Sequence, residues 1–121
     1  MYVLIIEDER ILSKVLKDKF EENGWNVKVA YDGVDGLEVF KKGFFDVVLL
    51  DLLLPKKNGF EVLKEIRADK SHEDLPILVV SNLGGIDDIQ EAMKLGATDY
   101  FIKTQHSLAD IVKKAGSYIE G

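Results

Sequence analysis

Three acidic residues stand together in Glu7-Asp8-Glu9, directly after the apolar run Val3-Leu4-Ile5-Ile6. A fourth, Asp51, directly follows Val47-Val48-Leu49-Leu50. Two further apolar runs end in other polar groups: Val79-Val80 leads to Ser81-Asn82, and Tyr100-Phe101-Ile102 leads to Lys103-Thr104. In a shared cleft, Glu7, Asp8 and Asp51 would sum to −3 and Lys103 would return +1, leaving −2. Crowded carboxylates repel and raise one another's pKa unless a cation joins them. An all-oxygen donor set suits Mg²⁺ better than Zn²⁺, which prefers His or Cys. With a divalent ion and an ammonium to stabilise phosphoryl oxygens, a carboxylate can attack phosphorus, and little else is required.

The elements that must carry these groups follow from periodicity. Apolar, β-branched runs alternate with stretches of helical spacing. Ile11, Leu12, Val15, Leu16 and Phe20 form one such stripe, with Lys14, Lys17, Asp18 and Glu21 opposite and Asn23-Gly24 as its stop. Val27 to Ala30 is a weaker strand, followed by a short helix around Val34, Leu37 and Phe40. Asn58-x-x-Glu61 opens a helix as a variant capping box, with Phe60, Leu63 and Ile66 inward. After the strand Pro76 to Val80, Gly84-Gly85 leads into a helix whose core-facing stripe is Ile86, Ile89 and Met93, closed by Gly96. Ser107-x-x-Asp110 caps a last helix bearing Leu108, Ile111, Val112 and Ala115. This is βα five times over. Continuous rather than alternating apolar strands indicate burial on both faces, hence an α/β fold: a five-stranded parallel sheet with helices on both sides. In such sheets, ligands bind at the carboxyl ends of the strands, where the polar residues above fall.

Composition narrows the function. A length of 121 residues suits one domain, 1–121, with no output domain in the chain. The absence of cysteine removes disulfides, thiolate zinc sites and thiol catalysis, and fits a cytoplasmic location. No signal peptide or run of roughly 20 apolar residues is present, so no membrane role is expected. Acids outnumber bases 22 to 16, and no basic stripe is visible: Lys56-Lys57 and Lys113-Lys114 are doublets that read as solvated surface. Direct nucleic-acid binding is therefore not expected.

The segments Ile5-Ile6-Glu7-Asp8-Glu9, Leu49-Leu50-Asp51-Leu52-Leu53-Leu54-Pro55-x-x-x-Gly59, Val79-Val80-Ser81 and Tyr100-Phe101-Ile102-Lys103 together resemble the receiver domain of bacterial two-component response regulators, of the chemotaxis-regulator type. The likeness covers essentially the whole chain. It implies a flavodoxin-like (βα)5 fold with strand order 2-1-3-4-5. It also implies Asp51 as phosphoacceptor, Mg²⁺ held by Glu7, Asp8, Asp51 and the Leu53 backbone carbonyl, Lys103 and Ser81 on the phosphoryl group, and Tyr100 as an aromatic switch residue. The implied partners are a sensor histidine kinase or phosphotransfer protein and a downstream effector in trans, with the protein a monomer or a weak phosphorylation-dependent dimer. Such a domain is no enzyme beyond its own phosphorylation and dephosphorylation. Its output would be a changed surface on the fourth helix, fifth strand and last helix. Two departures stand out: Thr104 replaces the proline common after the lysine, and Asn82 replaces a small residue beside the hydroxyl.

Taken singly, each residue has a plainer reading. Asp8 would be a helix N-cap, Asp51 turn chemistry, Lys103 a surface lysine, Ser81 a loop hydroxyl and Tyr100 a core ring with a wet hydroxyl. Those readings must place four independent polar residues at one sheet edge by chance. His72 and His106 lack partners at metal spacing and read as surface, and Asp32-Gly33-x-Asp35-Gly36 reads as a turn. Two rivals remain: a receiver-like docking module without phosphorylation, and an aspartyl-nucleophile phosphatase. The latter usually carries a second acid two residues on, where this chain has Leu53. Leu53 and Leu83 also flank the expected approach of water to a phosphorylated Asp51. They either shield it, prolonging its lifetime, or simply pack on adjacent helices.

Overall fold

The computed structural model describes residues 1–120. Strands β1 (Tyr2–Ile6), β2 (Asn26–Ala30), β3 (Val47–Leu50), β4 (Ile77–Ser81) and β5 (Asp99–Ile102) alternate with helices α1 (Arg10–Glu22), α2 (Gly33–Lys42), α3 (Gly59–Ala68), α4 (Ile86–Lys94) and α5 (Leu108–Glu120). A single 3₁₀ turn, Lys70–His72, follows α3. All strand pairs are parallel, in the order β2-β1-β3-β4-β5. This is the flavodoxin-like architecture. None of the described helices is long and apolar enough to cross a membrane.

The continuous apolar runs form the three central strands because both sheet faces are covered. Leu4, Ile6, Val48, Leu50, Ile77 and Val79 pack beneath α2, α3 and α4, against Leu37, Phe40, Val62, Leu63, Ile66 and Ala92. The alternate residues Val3, Ile5, Val47, Leu49, Leu78 and Val80 pack beneath α1 and α5, against Leu16, Phe20, Ile111, Val112 and Ala115. Burial of each such side chain contributes about 1.5–3 kcal/mol. The edge strand β2 instead alternates exposed and covered residues, and the exposed Lys28 guards it against pairing with another chain.

Local signals do their expected work at the helix ends. Asn58 accepts from the Glu61 N–H at 3.0 Å and donates to Glu61 Oε1 at 3.0 Å. Ser107 Oγ accepts from the Asp110 N–H at 3.1 Å, and Asp32 caps α2 through the Asp35 N–H at 2.7 Å. Gly24 and Gly96 follow α1 and α4 in left-handed conformation, at φ +85° and +107°.

Two apolar stripes are rotated from their expected faces. In α1, Ile11 is 84% exposed and Val15 is exposed, while Ser13, Leu16 and Phe20 are buried. In α4, Ile86 is 67% exposed, Met93 is exposed and Ile89 is half-buried; Ala92 is the residue against the sheet. The small residues Ser13 and Ala92 are instead fully covered, at 1% and 0% exposed. His72 lies at the surface as expected, its side chain 40% exposed, with its ring edge-on to Phe40 at a centroid distance of 4.9 Å. His106 is exposed, as expected.

Gly59 lies where the backbone after β3 folds tightly back. A Cβ there would sit 2.2 Å from the Asp51 carbonyl oxygen and 2.5 Å from Leu52 Cα. Replacement Gly59→Ala must push backbone aside and should cost about 1–3 kcal/mol, read as a lower urea midpoint. Gly116→Ala in α5, where a Cβ meets nothing within 4 Å, should instead gain roughly 0.5–1 kcal/mol.

Candidate functional site

The sheet ladder runs one residue beyond three of the strands and thereby sets the site in register. The Glu7 N–H donates to Ala30 O at 3.0 Å, the Asp51 N–H to Ile6 O at 3.0 Å, and the Lys103 N–H to Ser81 O at 2.9 Å. Glu7, Asp51 and Lys103 are thus fixed at the carboxyl edge by backbone pairing, before any side-chain contact forms. Glu7 and Asp51 are buried, and Lys103 is largely covered.

Lys103 Nζ lies 2.8 Å from Glu7 Oε1, 3.0 Å from Asp51 Oδ2 and 3.3 Å from Glu9 Oε1. The second oxygens of the two buried acids take backbone donors: Glu7 Oε2 accepts from the Glu9 N–H at 3.1 Å, and Asp51 Oδ1 from the Leu53 N–H at 3.2 Å. Asp8 is exposed, yet its carboxylate joins those of Glu7 and Asp51 in a trio whose oxygens lie within 4.8 Å of one another. Three hard oxygen donors, two buried and only partly compensated by one ammonium, fit a divalent cation of the Mg²⁺ type.

Ser81 and Tyr100 form no hydrogen bond with these carboxylates. Ser81, fully buried, accepts the Leu83 N–H on its Oγ at 3.3 Å, and the Tyr100 hydroxyl donates to the Leu83 carbonyl. One peptide segment thus links the hydroxyl at the end of β4 to the ring on β5. Leu53 projects its side chain outward, 53% exposed, whereas Leu83 is half-buried against the core. Asn82 is exposed. The turn after Lys103 uses a Gln105 N–H to Ile102 O bond at 2.9 Å, with no cis peptide among the described residues.

Asp8 is not a helix cap; Glu9 holds the N-cap position of α1 and makes no side-chain capping bond. Glu9 is also the participant that sequence reasoning passed over. Its only signal was membership of the Glu7-Asp8-Glu9 run, since spacing alone does not say which acid reaches a lysine 94 residues away.

A family model described as the response regulator receiver domain matches residues 3–115. A probable transcriptional regulator, ycf27, from Guillardia theta is 39% identical over 101 residues, covering 84% of this chain and 39% of that protein. The chain therefore spans less than half the length of that relative. Among solved structures, the receiver domain of the Francisella response regulator 1452 has a TM-score of 0.89 at 28% identity, covering 98% of this chain and 96% of that one. The phosphorylated cyanobacterial phytochrome response regulator RcpA has a TM-score of 0.88 at 26% identity, covering 99% and 94%. The chain belongs to the response regulator receiver domain family, the signalling modules of two-component systems.

Burial raises the Glu7 carboxyl from its ordinary 4.5 to about 8; the Asp51 charge adds to the rise, and hydrogen bonding to Lys103 opposes it. The folded protein therefore binds more protons than the unfolded chain between those values, so stability falls as pH rises through that window. Lys103 is also raised: burial alone would lower it, but its bonds to Glu7 and Asp51 hold it above 10.5, so its stabilising contribution is lost only above that value. Thermal unfolding of the metal-free protein should show a falling Tm between about pH 5 and about pH 8, and Glu7→Gln should flatten that slope.

Proposed function

We propose that this chain is a phosphorylation-dependent switch in which Asp51 accepts a phosphoryl group from a phosphohistidine on a sensor kinase or phosphotransfer protein, or from a small phosphodonor. The observation that carries the reading is a buried nucleophilic carboxylate, Asp51, held 3.0 Å from a largely covered ammonium at the carboxyl edge of a parallel sheet. In the transfer, an Asp51 oxygen forms the bond to phosphorus as the bond from phosphorus to the donor nitrogen breaks, and the departing imidazole takes a proton from solvent. Glu7, Asp8 and Asp51, with the Leu53 carbonyl, would hold Mg²⁺, which when bound supplies positive charge to the phosphoryl oxygens.

This chain's own groups do the rest. Lys103 is close enough to follow the charge from the carboxylate to the phosphoryl oxygens, and removing such a donor typically costs ~10²–10³ in rate. Ser81 Oγ accepts the Leu83 N–H, which leaves the hydroxyl proton free to donate to a phosphoryl oxygen. Drawing Ser81 toward that group would pull on Leu83 and strain the bond between its carbonyl and Tyr100, passing the event to α4 and β5. Exposed Ile86 and Met93 on α4 suit that surface to a partner in trans. The setting is cytoplasmic, and the protein acts as a monomer or as a weak dimer formed on phosphorylation. The phosphatase alternative lacks its proton donor, because the residue two positions after Asp51 is the outward-facing Leu53.

Intact-mass spectrometry after acetyl phosphate treatment with Mg²⁺ should show one added phosphoryl group. Asp51→Asn and excess EDTA should each abolish it, and labelling that persists in the variant refutes the assignment. With Leu53 free to flank the approach of water and Leu83 tied to the core, Leu53→Asn should hasten phosphoryl loss severalfold and Leu83→Glu less so. If neither hastens it, the leucines do not set the lifetime.

A further inference from the structure

Lys103 meets three carboxylates, but they are not equivalent. Glu7 and Asp51 belong to the trio that would receive a divalent cation; Glu9 does not. The side chains of Glu7 and Asp51 are each 3% exposed, that of Glu9 53%. An ion entering the trio competes with the ammonium for the same oxygens and repels it, so Lys103 must shift. Its flexible four-carbon stem permits this. Glu9, already 3.3 Å away at the rim, offers a carboxylate that keeps the ammonium at the cleft mouth.

The helix geometry supports a dedicated role. Glu9 occupies the N-cap of α1, at φ −75° and ψ 103°, where Ser, Thr, Asp or Asn would bond the first-turn amides. Its side chain makes no such bond and reaches Lys103 instead. Its backbone N–H separately orients Glu7 Oε2, a contact that any side-chain replacement preserves.

We propose that Glu9 is a positioning residue that takes up the Lys103 ammonium when a divalent cation enters the Glu7/Asp8/Asp51 site, relieving the competition between the two cations. The inference rests on the metal site proposed above and identifies what makes room in it.

The test is a double-mutant cycle read by Mg²⁺ titration, using calorimetry on the unphosphorylated protein. Glu9→Gln should weaken Mg²⁺ binding about fivefold or more, and by less than about twofold in the Lys103→Met background. Glu9→Ser, a better helix cap, should weaken it as much as Glu9→Gln without lowering Tm. Equal losses in both backgrounds would mean that Glu9 acts only as a distant charge, and would overturn the proposal, as would no loss at all. A wild-type protein that binds no Mg²⁺ would overturn the metal site itself. Binding with an unchanged Glu9→Gln affinity would overturn only the role of Glu9.

Discussion

The ammonium of Lys103 between two buried carboxylates is the interaction on which the rest of this structure turns. Glu7 and Asp51 are withdrawn from water at the end of adjacent strands, and Lys103 is the cation that reaches both. Breaking one side of a buried ion pair typically costs about 3–5 kcal/mol. The molecule tempers the cost of burying the two acids by giving each a backbone donor for its second oxygen. The cluster is thus stable enough to exist and still under-compensated, which leaves it receptive to added positive charge.

The fold supplies what such a cluster needs. A parallel sheet brings all its strand ends to one edge, and the ladder continues through the amides of Glu7, Asp51 and Lys103. Position is therefore set by the backbone, while the side chains remain free to exchange partners. The loop after β3 is folded tightly at Gly59, which leaves no room for a Cβ beside Asp51. On the opposite side, Leu83 connects Ser81 to Tyr100 through its amide and its carbonyl. A small displacement at the end of β4 has a direct route to the surface of α4 and β5.

Much of this was legible from residue order. Unbroken runs such as Val47 to Leu50 require two covered faces, and caps such as Asn58 with Glu61 mark helix starts without tertiary information. The polar strand ends pointed to one site because the topology leaves them nowhere else to gather. What residue order did not reveal was helix rotation. Ile11 and Val15, or Ile86 and Met93, satisfy helical spacing as well as the buried stripes do. The choice between them is made by tertiary packing, which covers the small residues Ser13 and Ala92 and leaves the larger Ile11 and Ile86 exposed. Glu9 escaped notice for a related reason: its role depends on how far a side chain reaches across strands, which spacing along the chain does not encode.

The most direct test of the account is an amide chemical-shift map recorded with Mg²⁺ and beryllofluoride, an unreactive stand-in for a phosphoryl group on a carboxylate. The account predicts shifts at Glu7 to Glu9 and Asp51 to Leu54 that continue across residues 81–104, with the Leu83 and Tyr100 amides among the most affected. Changes confined to the neighbours of Asp51, or no change at all, would contradict it.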